Sequence, residues 1–271
     1  MKSAKFDHQR TPSLENALEL LGGAEGETRV LGGGQSLGPM MNLRLAQPDQ
    51  LIDLGLVEGL AEIETDSDRV RIGARVTHAR IEDGEIPGVT GAYMQFVASG
   101  ISYRSVRNRG TIGGSIAHAD PAADWPSALL ALGGEVIVAT QNGNKNLSLD
   151  GFQTGPFATG LGFDEILVGF DLPALLDDTK TGYYKVNRKP GEFADAIGAV
   201  IVGPEARAVC GATKSAPFRV SGIEEKLGSG TSQLAVGDVR EMIEVHDPGF
   251  DDYELQIHAV ALSRSIERAF A

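Results

Sequence analysis

Two glycine-rich stretches, one near the start of the chain and one just past residue 100, constrain its folding more than any other feature. They are Val30-Leu-Gly-Gly-Gly-Gln-Ser-Leu37 and Arg109-Gly-Thr-Ile-Gly-Gly-Ser115. Each follows or lies within apolar, β-prone sequence, so each is expected at the end of a strand or turn with bare backbone N–H groups on show. Glycine suits such a nest because it accepts positive φ and lets a ligand approach the backbone. Taken singly, either stretch reads equally well as a surface turn. Together they point to two walls of one crevice for a diphosphate.

Charge sharpens that reading. With 24 Lys+Arg against 37 Asp+Glu, the formal net charge is −13, and such a surface repels nucleic acid and anionic membrane. Yet no acid occurs from Arg29 to Pro48, which holds Arg29 and Arg44, or from Ile86 to Ala119, which holds Arg104, Arg107 and Arg109. Both glycine segments are therefore expected in electropositive islands.

The 271 residues are 42% hydrophobic, enough for two or three compact units with their own cores. No run reaches the length of about 18 apolar residues that reads as a membrane span, and Met1-Lys-Ser-Ala-Lys-Phe-Asp7 has no signal-peptide core. A single cysteine, Cys210, excludes an internal disulfide, an iron–sulfur cluster and a cysteine zinc site. A cytoplasmic protein is expected, with any metal redox centre on a partner.

Patterning gives an α+β chain. Thr11 to Leu21, Thr77 to Asp83, Val89 to Ser99, Trp125 to Leu132 and Asp252 to Phe270 are predicted helices. Predicted strands are Thr28–Leu31, Leu51–Leu54, Arg69–Gly73, Glu135–Ala139, Asn146–Leu149, Ile166–Leu172, Tyr183–Arg188, Ala196–Val202 and Ala206–Ala212. A Pro- and Asp-containing stretch from Pro173 to Thr181 reads as a linker. The expected organisation is an N-terminal unit over 1–176, with subdomains of about 1–54 and 55–176, then a C-terminal unit over 177–271 built from a three-stranded sheet with helices.

The order Gly-Gly-Gln-Ser-Leu, Pro-Met-Met-Asn-Leu-Arg-Leu, Ile-Asp-Leu, Arg-Asn-Arg-Gly-Thr-Ile-Gly-Gly-Ser, His-Ala-Asp-Pro-Ala-Ala-Asp-Trp-Pro, Glu-Ile-Leu and Tyr-Lys closely resembles the FAD-binding medium subunit of the molybdenum hydroxylases, the carbon monoxide dehydrogenase and xanthine dehydrogenase family. The resemblance runs from about Phe6 to the last helix. It implies two FAD-clasping subdomains of the vanillyl-alcohol-oxidase type and a C-terminal domain packed against the flavin. It also implies a large molybdenum-cofactor subunit and a small [2Fe-2S] subunit as partners, in a dimer of heterotrimers. In such a complex this chain collects electrons from the clusters and passes them to an external acceptor, with no catalytic residue or metal of its own.

By the same resemblance, Val30, Leu31, Gly32, Gly33, Gly34, Gln35, Ser36 and Leu37 wrap the FAD diphosphate, and Thr111, Ile112, Gly113, Gly114 and Ser115 form the opposing wall. Asp124 matches an acid that contacts the cofactor's polyol portion. Ile101 and Leu167 match apolar positions around the cofactor. Lys185 matches a lysine at the flavin, where a cation near N1 and the C2 carbonyl stabilises the reduced ring, and Tyr183 matches a tyrosine beside it. The chain departs from the family pattern at Gly32, where alanine is usual, and at Glu192-Phe193-Ala194, where an aspartate usually leads.

Other constellations compete. Gly34-Gln-Ser-Leu-Gly38 fits the Gly-x-Ser-x-Gly elbow of serine hydrolases, with Asp195 and His246 or His258 downstream, but it follows only the first predicted strand. His118 and Asp120 are two ligands at most for a metal. Neither glycine stretch fits Gly-x-Gly-x-x-Gly or the P-loop. Cys210 reads as a core residue and the Asp247–Asp252 turn as a helix cap. A self-sufficient flavin oxidase and a subunit that has lost its cofactor are the remaining alternatives.

Overall fold

The structure is a computed structural model that describes residues 2–246 and 248–271. Its chain order begins with β1 (Asp7–Arg10), α1 (Leu14–Gly22), β2 (Thr28–Leu31), α2 (Leu37–Asn42) and β3 (Gln50–Asp53). The three strands form a parallel sheet in the order β1-β3-β2. Helix α1 starts because the Ser13 side chain accepts from Asn16 N at 3.2 Å, and it stays because Ala17, Leu18 and Leu21 share one buried face against Ile52 and Leu54.

Next come β4 (Ile63–Thr65), β5 (Arg69–Gly73), α3 (His78–Glu82), α4 (Gly88–Ser99), α5 (Arg104–Arg107), α6 (Ile112–His118), α7 (Asp124–Leu132), β6 (Glu135–Thr140), β7 (Gly143–Ser148), β8 (Gln153–Gly155), β9 (Ala158–Thr159) and β10 (Ile166–Pro173). Five of these strands form an antiparallel sheet ordered β4-β5-β10-β6-β7. In β5, Val70 and Ile72 point inward while Arg69 and Arg71 face water, the alternation of a half-buried strand. Central β10 is buried continuously from Ile166 to Phe170.

The chain closes with β11 (Lys180–Val186), β12 (Ala196–Val202), β13 (Ala206–Gly211), β14 (Phe218–Arg219), α8 (Ser221–Gly228), α9 (Val236–Glu244) and α10 (Asp252–Ala269). The C-terminal sheet, β11-β12-β13-β14, is antiparallel and carries a fourth strand beyond the three expected. That strand is only Phe218–Arg219, paired with Cys210 and Val209, too short to leave a periodic signal.

Helix α7 packs on the C-terminal sheet on one side and on α4 and α6 on the other, and all nine of its residues are buried. One core runs from Ile72 and Phe170 through Trp125 and Leu129 to Ile197 and Val209. A second covers the other face of the C-terminal sheet, where Leu262 and Ile266 of α10 meet Val200, Ala208 and Cys210. Helix α10 opens with a capping box in which Asp251 and Glu254 satisfy each other's backbone N–H. Asp251 thus does the capping expected of the acidic turn, whose Asp247 lies outside the described residues. Among the described residues, no helix is long and apolar enough to cross a membrane.

Candidate functional site

The two glycine stretches meet. A Cβ added to Gly33 would clash with the Arg109 carbonyl oxygen and lie 2.7 Å from that carbonyl carbon and 2.9 Å from Gly110 Cα; one added to Gly32 would lie 3.1 Å from Thr111 Oγ1. Backbone therefore packs on backbone across the crevice, which only glycine permits. Gly34 adopts φ +71°, so the first stretch turns through the left-handed region into α2. No described acceptor takes the N–H groups of Gly33, Gly34, Gln35 or Ser36; Gln35 and Ser36 are exposed and Gly33 and Gly34 half-buried.

The second stretch differs from its expected loop: Ile112 to His118 is helix α6, capped by Thr111, whose Oγ1 accepts from Gly114 N at 3.1 Å. The N–H groups of Ile112, Gly113 and Ser115 donate to Val76, Ala74 and Thr111 carbonyls. Gly113 is bare because α6 lies on the chain after β5; its Cβ would stand 2.5 Å from Ala74 Cβ. The first wall thus offers donors, and the second offers shape.

Beside the walls lies a cavity of about 520 Å³ lined by Gly32, Gly33, Gly34, Arg10, Arg75 and Arg109, among others. Its one acid among the described residues, Asp53, accepts from His8 and sits 3.5 Å from Arg10. Arg75 donates to Gly55 O at 3.0 Å, but its Nε is buried with no partner. A buried donor without an acceptor is costly, and the rest of the guanidinium side chain lines the cavity. The free N–H row, the bare glycines and the lining arginines Arg10, Arg75 and Arg109 fit a diphosphate.

The electropositive islands are partly cancelled in three dimensions. Arg104 is bound by Asp83 and Glu82, and Arg107 by Glu82, at 2.6 to 2.7 Å. These acids come from the end of α3 and its cap residue Asp83, outside the acid-free windows, so the sequence concealed the pairing. The bond from Arg107 holds the Glu82 carboxyl below its ordinary range. Arg109 stays exposed, its guanidinium bonding to no described residue.

Asp124, Tyr183 and Lys185 form one buried cluster at the start of α7. Tyr183 Oη donates to Asp124 Oδ1 at 2.6 Å, and Lys185 Nζ lies 2.9 Å from Asp124 Oδ1 and 2.9 Å from the Gly100 oxygen. Burial pushes the Asp124 carboxyl up, against the pull of Lys185, and pushes the Tyr183 phenol up as well. The Lys185 ammonium is therefore held by a carboxylate of this chain, a pairing the sequence did not reveal. Tyr183 and Lys185 line a second cavity of about 560 Å³, with Phe96, Arg107 and Arg268.

Ile101 packs on the main core and its carbonyl accepts from Arg107 at 2.8 Å. Leu167 is buried in β10 and lines neither cavity. Val30 and Leu37 pack in the smaller cores on either side of the first sheet. Glu192 pairs with Arg188 at 2.8 Å.

The competing constellations do not assemble. His258 is bonded to the Glu254 and Ala212 carbonyls and stacked on Phe250, His246 packs on Phe218, and no described histidine or acid bonds Ser36, so the elbow has no base. No group of three or more potential metal ligands occurs among the described residues. Cys210 is fully buried and its thiol is pushed up by burial.

Comparison with known proteins is consistent with this geometry. Residues 4–175 match the family described as the FAD binding domain in molybdopterin dehydrogenase. The nicotine 6-hydroxylase medium subunit of Paenarthrobacter nicotinovorans is 35% identical over 249 residues, covering 91% of this chain and 81% of that protein. The carbon monoxide dehydrogenase medium chain of Hydrogenophaga pseudoflava is 31% identical over 280 residues, covering 98% of each. A solved carbon monoxide dehydrogenase from that organism, lacking the Mo-pyranopterin moiety of its cofactor, matches with a TM-score of 0.91 at 29% identity over 100% of this chain and 99% of that one. Quinoline 2-oxidoreductase from Pseudomonas putida 86 gives 0.87 at 27% identity, over 99% and 98%. The chain belongs to the FAD-binding family of the molybdopterin dehydrogenases, an oxidoreductase medium subunit whose cofactor is FAD.

Proposed function

We propose that this chain is the FAD-carrying medium subunit of a heterotrimeric molybdenum hydroxylase. A large molybdenum-cofactor subunit oxidises the substrate, a small [2Fe-2S] subunit relays the electrons, and this chain passes them to an external acceptor. The complex is a dimer of such trimers in the cytoplasm. Bound FAD supplies one- and two-electron redox chemistry.

The chain's own residues bind and orient. The N–H groups of Gly33, Gly34, Gln35 and Ser36, with Arg75 and Arg109, hold the diphosphate, and Thr111 to Ser115 close the opposite side. Asp124, Tyr183 and Lys185 fix the polar end of the site near Ile101. Because Lys185 is paired with Asp124, it presents little net charge, and its main task is to orient that carboxylate. Residues 1–54 carry the first wall, 55–176 the second, and 177–271 supply Tyr183 and Lys185.

The observation that carries the reading is the backbone contact of Gly33 with Arg109–Gly110 beside an unused row of N–H donors. Purified alone, the chain is expected to be yellow with FAD and to oxidise no substrate until its partners are added. A colourless chain with no measurable FAD affinity overturns the reading, and turnover by the isolated chain favours a self-sufficient oxidase.

A further inference from the structure

His78, the first residue of α3, is a buried imidazole at the back of the crevice. Its backbone N–H donates to Gly110 O at 2.9 Å, and its Nδ1 accepts from Trp125 Nε1 at 3.0 Å. Indole nitrogen only donates, so Nδ1 is unprotonated and the proton sits on Nε2. The Cδ2 and Nε2 ring edge lies 2.9 Å from where a Gly110 Cβ would stand, while on the other side a Gly33 Cβ would lie 2.9 Å from Gly110 Cα. Gly110 is thus sandwiched between the His78 ring and the first glycine wall. Trp125 follows Asp124 directly, so one imidazole ties the glycine crevice to the cluster that holds Tyr183 and Lys185.

We propose that His78 is a positioning residue for the cofactor: its neutral ring, fixed by Trp125, is the backstop that sets the second glycine wall against the first. The inference rests on the reading of this crevice as the FAD site. Protonation of Nδ1 would turn the acceptor into a donor facing the indole N–H, and the ring would have to leave its seat.

Burial, with help from the Arg107 guanidinium, pushes the His78 pKa down to about 4. Of the elements around it, α5 brings Arg107, α3 brings Glu82, which bonds Arg107, α7 brings the uncharged Trp125, and the Gly110–Thr111 segment brings no titratable group. A histidine depressed from 6.5 to about 4 favours the seated state fully above pH 6.5. That preference is lost as pH falls from 6.5 toward 4, a change of up to about 300-fold.

Trp125 is the only tryptophan in the chain, so its emission reports the bond to His78. The experiment uses the full-length chain loaded with FAD and follows Trp emission and retained FAD from pH 7.5 to 4. In the wild type both are expected to fall together, with one midpoint between pH 6.5 and 4. His78→Asn keeps an oxygen that can accept the indole N–H, so it should hold FAD near wild-type affinity at pH 7 and lose the acid step. His78→Leu should bind FAD at least tenfold more weakly at every pH, with the affinity measured on the folded fraction. FAD retention that stays flat while the Trp signal titrates, or an unchanged acid step in His78→Asn, overturns the inference alone. A wild-type chain that binds no FAD at pH 7 overturns the site reading and the inference with it.

Discussion

Replacing Gly33 with alanine tests the crevice at its narrowest point. The new methyl would clash with the Arg109 carbonyl oxygen and stand 2.7 Å from that carbonyl carbon and 2.9 Å from Gly110 Cα, so the walls must separate by more than about 1 Å to reach ordinary contact. Both neighbours are backbone and cannot rotate away. Overpacking of this kind costs roughly 1–3 kcal/mol, and taking the middle of that range weakens FAD binding by about 30-fold. The assay is FAD affinity of the purified apoprotein, followed by flavin fluorescence, with the melting temperature of apoprotein measured alongside. Gly237→Ala is the control: it lies in α9 with nothing within 4 Å of the new methyl, and should stabilise by about 0.5–1 kcal/mol with FAD affinity unchanged. Wild-type affinity in Gly33→Ala would refute the claim that backbone contact between the two stretches shapes the site.

Three further perturbations have definite outcomes. Arg75→Leu removes a cationic side chain that lines the cavity and should weaken FAD binding by about 1.5–3 kcal/mol, measured by titration at constant salt. Asp124→Asn leaves the Lys185 ammonium buried without its counter-charge and should destabilise by about 3–5 kcal/mol in denaturant unfolding at pH 7, and adding Lys185→Met should recover most of that loss. Glu82 is held below its ordinary pKa by Arg107, so its contribution is present above the unfolded value of 4.5 and lost as pH falls through the folded one. Glu82→Gln should flatten the acid side of a melting-temperature profile.

Long elements were legible because their patterns are complete. Helix α10 has four apolar positions at helical spacing and an acidic cap, and β12 is a continuous apolar run. Helix α6 was not legible: two adjacent glycines argue against helix, and only contact with Ala74, brought by tertiary structure, explains why Gly113 sits in one. Strand β1 is exposed along its whole length and exists because β3 lies beside it. At the candidate site, the glycine stretches stand out by their motif, and Asp124 is named only through the family resemblance. The orphan Nε of Arg75, the Glu82 pairing of Arg107 and the His78–Trp125 bond join residues distant in sequence, and none carries a local signal.

Helix α7 has no solvent face, since one side packs on the C-terminal sheet and the other on α4 and α6 within the main core. Neither half of the molecule can therefore melt while the other stays intact, because α7 would be left with bare apolar surface and Asp124 without Tyr183 and Lys185. Heating should produce a single cooperative transition, with flavin release at the same temperature, and a chain cut after residue 176 should aggregate rather than fold.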